Sequence, residues 1–200
     1  PVQPILGWGI ERLHLVQIDP AMIALTVDHL PETQRQTLRS PRLKVFARDA
    51  LEVVNRAASG DPYLQPLDPI TGGPATTGEK LGNYDLVVLN IGDPTSLLAN
   101  RFCTEDFYRR LRIIMNPGAV LALGPVQSAE AYVEGPVRRY LACHYHTLKA
   151  VFPDVLVQPG SEAVFFAAHD RHVLSSDPEV LRSRCLALGG VDEGVAAMLG

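Results

Sequence analysis

Tyr84-Asp85-Leu86-Val87-Val88-Leu89-Asn90-Ile91-Gly92-Asp93-Pro94 is the stretch that decides the fold class. From Tyr84 to Ile91, five of the eight residues are Leu, Val or Ile, with no polar alternation. That is the pattern of a central parallel strand buried on both faces. Open parallel sheets bind ligands beyond the carboxyl ends of their strands. The loop 90–94 therefore becomes the first candidate for a functional site.

Working outward, residues 13–18 (Leu-His-Leu-Val-Gln-Ile) form a second short apolar run, ended by Asp19-Pro20. It too reads as a strand buried on both faces, with Asp19 as N-cap and Pro20 in the first turn of a helix closed near Leu30-Pro31. Residues 43–47 give the next strand, and Asp49 can cap a helix carrying Leu51, Val53 and Val54. Downstream, Thr104-Glu105-Asp106 opens a helix whose first-turn acids suit the dipole. Asn116-Pro117-Gly118 stops it before a strand at 119–123. A helix over 136–151, an antiparallel strand pair at 155–157 and 163–168 around Pro159-Gly160, and a helix over 178–188 complete the series, with a loose Gly-rich end. Residues 59–83 have no apolar period and many turn formers, and read as a flexible insertion.

Strands alternating with helices imply a mostly parallel α/β sheet. The carboxyl-end rule then selects residues 17–19, 48–50, 90–100 and 124–128.

The bulk properties exclude several classes. A length of 200 residues suits one domain, and a net charge of -4 with no Lys/Arg cluster argues against a nucleic-acid partner. Cys103, Cys143 and Cys185 share no metal or disulfide spacing. No apolar run is long enough for a bilayer and no signal peptide precedes the first element, so the chain as given reads as cytoplasmic. It begins at Pro1, which suggests a piece of a longer protein. His144 and His146 lie two apart in the helix over 136–151, where side chains diverge, so no metal is expected. Trp8, Tyr108 and Tyr145 read as packing residues. No nucleophile elbow, Walker loop or zinc-protease motif is present.

The strand ends taken in order resemble the spermidine synthase (polyamine aminopropyltransferase) family. The residues that carry this are Val16-Gln17-Ile18-Asp19-Pro20, Arg48-Asp49-Ala50, the run 84–94, Arg101 to Tyr108, Asn116-Pro117-Gly118, Thr147 to Pro153 and Pro159-Gly160. The variant most similar is the spermidine-synthase-like domain of bacterial multi-pass membrane proteins, through Asn90 to Pro94 and Asn100-Arg101-Phe102. The resemblance implies a Rossmann-like, S-adenosylmethionine-dependent methyltransferase-type fold. It also implies decarboxylated S-adenosylmethionine (or S-adenosylmethionine) as co-substrate and a small-molecule amine as acceptor. A membrane-spanning remainder tethering the chain to the inner membrane, and a homodimer, are left open.

Three positions depart from the family pattern. The family's ribose-binding Glu is Gln17 here, which brings donors where an acceptor-only carboxylate would sit. The first Asp of the family's active loop, which helps take a proton from the attacking amine, is Asn90. A primary amide cannot do that at ordinary pH, which leaves Asp93 to hold or deprotonate the amine. The family's first strand and its Gly-rich turn are missing, so N-terminal truncation of a single 1–200 domain is expected, with two strand edges left unpaired.

By the resemblance, Gln17, Asp19, Asp49 and Ala50 bind the co-substrate, Asp93 and Asn90 form the catalytic loop, and Asp93 with Gln127 contacts the substrate amine. The implied reaction is aminopropyl transfer to a diamine such as putrescine. Two alternatives remain: a non-catalytic nucleoside-sensing or assembly domain of a larger membrane protein, and a methyltransferase.

Overall fold

The computed structural model describes residues 2–7, 9–75, 77–128 and 135–187. The chain divides into two compact units, Pro1–Leu81 and Gly82–Gly200.

The first unit runs α1 (Val2–Gly7), β1 (Leu13–Gln17), α2 (Pro20–His29), α3 (Glu32–Thr37), β2 (Leu43–Ala47), α4 (Ala50–Ala58), then two-residue strands β3 (Tyr63–Leu64) and β4 (Glu79–Lys80). β1 and β2 pair in parallel, from Leu13 opposite Leu43 to Gln17 opposite Ala47. Both strand-to-helix turns are built the same way. The Asp19 carboxylate accepts from the Ala21 N–H at 2.8 Å, and that of Asp49 from the Leu51 N–H at 2.9 Å. Each aspartate thus satisfies a helix-end donor and stops its strand.

Because side chains alternate along a strand, β2 supplies two cores. Leu43 and Val45 pack with Ile23 and Val27 of α2. Phe46 packs on the other face with Val53 of α4, Leu64 and Leu81.

Of residues 59–83, expected as a flexible insertion, those up to Leu81 belong to this unit and are tied to it. The Leu67 N–H donates to the Val45 carbonyl at 2.7 Å, an antiparallel bridge on the outer edge of β2. Leu67 and Ile70 pack on the first core, and Leu64 and Leu81 belong to the second. Gln65 Nε2 donates to the Ala75 carbonyl at 2.8 Å, and the Asp68 carboxylate accepts from the Ile70 and Thr71 N–H groups. Four apolar anchors at irregular spacing hold the segment, so it has no period to read.

The second unit comprises β5 (Tyr84–Leu89), α5 (Leu97–Asn100), a 3-10 turn (Arg101–Cys103), α6 (Glu105–Ile113), β6 (Met115–Gln127), α7 (Gly135–Lys149), β7 (Asp154–Gln158), β8 (Glu162–Ala168) and α8 (Pro178–Ala187). The sheet order is β5-β6-β8-β7. β5 and β6 are parallel, and β8 runs antiparallel to both its neighbours, as expected of the C-terminal pair. Thr104 caps α6 by accepting from the Phe107 N–H at 3.2 Å. Phe107, Tyr108 and Leu111 of that helix are buried, as are Leu121, Leu123, Leu148, Phe152 and Phe165. Residues 188–200, where a helix end and a loose tail were expected, lie outside the described residues.

Two expectations need correction. The strands containing residues 13–18 and 84–91 are not buried on both faces: Leu86 and Val88 are 56% and 59% exposed, and Ile18 is 56% exposed. Among the described residues β1 pairs only with β2 and β5 only with β6, so each has one edge without a strand partner. An apolar run gives the strand type, but burial needs covering elements as well. The second correction concerns β6, expected at 119–123 but running from Met115 to Gln127. It survives a break in its ladder between Leu123 and Val126, then rejoins β8 at Ala163 and Glu162.

Gly124 makes that break feasible. Its φ is +132°, and a Cβ there would stand 2.8 Å from the Ala163 carbonyl oxygen. Gly118 also has positive φ, +76°, but an added Cβ would meet nothing within 4 Å. Gly124→Ala is therefore expected to lower unfolding free energy by about 3 kcal/mol, and Gly118→Ala by about 1 kcal/mol. Urea denaturation of the two variants checks the order.

Candidate functional site

The polar groups at the strand ends form one cluster in each unit. In the first unit Gln17, at the end of β1, is exposed, as is Asp19. Asp49 and Ala50 follow β2, whose last residue pairs with Gln17. All four expected co-substrate residues thus lie at one end of the β1–β2 ladder. Both aspartates already cap helices, so the fold alone accounts for them.

In the second unit the site is built around Asp93. Gly92, at φ +64°, turns the chain just ahead of it. The Tyr140 hydroxyl of α7 donates to Asp93 Oδ1 at 2.5 Å, and the Gln127 backbone N–H of β6 donates to the same oxygen at 2.9 Å. The Tyr140 ring meets His144, one helical turn on, edge-to-face with centroids 4.7 Å apart. His144 is buried and also contacts Phe165 of β8 at 5.7 Å. A strand, a helix and a loop therefore converge on one carboxylate.

The electrostatics follow from these contacts. The Tyr140 hydroxyl, and then the Gln127 N–H, hold the Asp93 carboxyl below its ordinary value. Burial and the bond to Asp93 push the Tyr140 phenol up, so it stays a donor at neutral pH. Burial pulls the His144 imidazole down, opposed in part by the negative charge of Asp93. The outcome is an ionised carboxylate beside a neutral aromatic pair, suited to holding a cation or an ammonium group.

The structure brings Asp93 and Gln127 together, but through the backbone of Gln127. Its side chain is exposed and makes no described contact with Asp93. Asn90 is exposed at the end of β5. Beyond Asp93, Ser96 caps the short helix α5 by accepting from the Ala99 N–H at 3.1 Å, and Leu97 and Leu98 of that helix are 91% and 65% exposed. His144 is buried while His146 is exposed, so the two diverge. Trp8 lies outside the described residues.

Sequence reasoning missed Tyr140 and His144 as partners of Asp93. Their one signal was the i, i+4 spacing of two aromatic polar residues on a helix following the 124–128 strand end. Among the described residues no group of three His, Cys, Asp or Glu side chains could hold a metal ion, and no helix is long and apolar enough to cross a membrane.

No family model matches the chain. A polyamine aminopropyltransferase from Synechococcus sp. (strain JA-2-3B'a(2-13)) is 27% identical over 162 residues, covering 79% of this chain and 42% of the relative. One from Aeropyrum pernix is 26% identical over 185 residues, covering 88% and 48%. The chain thus spans just under half the length of these curated relatives. Among solved structures, spermidine synthase from Thermotoga maritima superposes with a TM-score of 0.61 at 17% identity, over 98% of this chain and 60% of that one. A spermidine synthase in complex with the transition state analogue AdoDATO gives the same figures. Human methyltransferase-like protein 13, in complex with SAH, superposes with a TM-score of 0.54 at 22% identity, over 93% and 84%. The fold is that of S-adenosylmethionine-dependent methyltransferases and spermidine synthases, and the curated relatives that the chain resembles are named polyamine aminopropyltransferases.

Proposed function

We propose that this chain carries the machinery of an aminopropyl transfer, from decarboxylated S-adenosylmethionine to a diamine such as putrescine. The observation that carries the proposal is the Asp93 carboxylate, fixed by Tyr140 and the Gln127 N–H at the end of a parallel strand. The names of the curated relatives support the same reading. Gln17, Asp19, Asp49 and Ala50 are assigned to the nucleoside of the co-substrate, and Asp93, Asn90 and Gln127 to the acceptor amine.

The chemistry is a displacement at the propyl carbon bonded to the sulfonium sulfur. The acceptor arrives as an ammonium ion and must first lose a proton, because only the neutral amine has a lone pair to donate. Asp93 attracts the ammonium and accepts that proton, passing it to solvent. The nitrogen lone pair then forms the N–C bond, and the C–S bond breaks with its electron pair going to sulfur. The product nitrogen keeps its two remaining protons and leaves as a secondary ammonium ion. A carboxylate held below its usual range is a good anchor and a modest base, so most of the rate would come from alignment and exclusion of water. Asn90 can align an amine through its carbonyl but cannot take its proton.

Calorimetry with decarboxylated S-adenosylmethionine is expected to give saturable heat. Heat with neither that nucleoside nor S-adenosylmethionine would overturn the proposal. Asp93→Asn is expected to lower turnover by about 100-fold or more while leaving nucleoside binding intact.

The lowered carboxyl also sets a pH dependence. Its bonds stabilise the fold fully above the ordinary aspartate value of about 3.9, and that contribution disappears as pH falls through the lower folded value. Asp93→Asn should therefore narrow the stability gap between pH 6 and pH 3, as read from urea midpoints.

A further inference from the structure

Both donors on Asp93 go to the same oxygen. The Tyr140 hydroxyl and the Gln127 N–H meet Oδ1, and the described residues place no donor on Oδ2. The two donors differ in what fixes them. Gln127 is held by the sheet, in register opposite Glu162 of β8. Tyr140 is held by its ring, set edge-on against His144, which in turn rests on Phe165. His144 is 5% exposed, so the brace beneath the tyrosine is dry. One donor alone would leave the carboxylate free to turn about its Cβ–Cγ bond. Two donors converging from a strand and a helix fix its plane, and so fix where Oδ2 lies.

We propose that Tyr140 is a positioning residue which, with the Gln127 N–H, saturates Oδ1 of Asp93 and thereby presents Oδ2 as the single acceptor for the cationic end of an amine substrate. This rests on the reading of Asp93 as the amine-binding group. It goes beyond that reading by assigning the orientation to a side chain outside the loop, and by specifying which oxygen meets the ligand. His144 serves the phenol through ring contact alone: the phenol proton goes to Asp93, so no proton path runs from Asp93 to the imidazole.

Among the described residues, the charged and titratable groups facing the cluster are few. His144 and Tyr140 come from α7, and Cys103 of the 3-10 turn is close enough to act on the Tyr140 phenol. None is a cation at neutral pH that could stand in for the substrate, since burial keeps His144 neutral. Among the described residues, an incoming ammonium would therefore meet Asp93 without displacing an ion pair.

The test uses Tyr140→Phe in the full-length protein. This variant keeps the ring on His144 and removes only the hydroxyl. The expected result has three parts. KM for the diamine rises about tenfold or more, the loss expected for a hydrogen bond to a charged group, with nucleoside affinity unchanged. The Asp93 carboxyl, followed by carbon-13 NMR, titrates at higher pH than in the unaltered protein. Tyr140→Phe combined with Asp93→Asn binds diamine no worse than Asp93→Asn alone, because the tyrosine acts only through the aspartate.

An additive double variant, or an Asp93 titration that Tyr140→Phe does not move, overturns the proposal. A merely structural tyrosine would lower stability and leave the titration in place. If the unaltered protein transfers no aminopropyl group, the reading of function fails by itself. The NMR titration and direct binding of putrescine still decide the role of Tyr140. Should Tyr140→Phe fold poorly, His144→Leu offers a second route: it loosens the ring while retaining the phenol, and is expected to shift the Asp93 titration in the same direction by a smaller amount.

Discussion

The second unit depends on how closely the backbone of β6 approaches that of β8 at Gly124. A side chain there would run into the Ala163 carbonyl. Because none is present, β6 can break its ladder after Leu123 and resume it at Val126 without leaving the sheet. Leu121, Leu123 and Val126 stay in the core on either side of the irregularity. The same continuation carries the Gln127 N–H to the loop after β5. Sheet closure, core packing and the orientation of the Asp93 carboxylate all trace back to a position that tolerates only hydrogen.

The carboxylate so placed differs from an ordinary surface aspartate. Two donors stabilise its charged form, and an uncharged aromatic pair surrounds it. Holding the charge firmly favours cation binding and weakens proton affinity, and these demands pull against each other in any amine transferase. Asn90, three residues earlier and exposed, supplies no second carboxylate to divide the labour. In the transfer we propose, the burden would fall on Asp93, and geometry would have to compensate for what basicity does not provide.

Much of the fold was legible from local chemistry. The run around Val87 marked a parallel strand, Asp19-Pro20 and Asp49 marked strand-to-helix turns, and Pro159-Gly160 marked the antiparallel pair. These signals depend on residues adjacent in the chain, where propensity and capping act. What was not legible depends on partners far apart. α3 buries none of its residues and so has no apolar stripe to announce it. Exposure of Leu86 and Val88 reflects what covers a strand, which its own sequence does not encode. Of the site, the location of Asp93 could be read from the end of its strand. Its two donors could not: one is a backbone N–H thirty-four positions away, and the other is a tyrosine forty-seven positions away.

The segment between α4 and β5 has a consequence for how the length of this chain can vary. Leu64 and Leu81 grip one face of β2, while Leu67 and Ile70 grip the other. The turn carrying exposed Thr71 and Gly72 bears none of that grip. Residues added or removed at that turn would cost its local hydrogen bonds to Asp68 and some loop-closure entropy, which grows slowly with length, but would leave both cores in place. The same change between Leu64 and Leu67 would shift one anchor relative to the other and strip a core. Within this segment, length is therefore expected to change at least cost at that turn, with Leu67 and Leu81 as its borders.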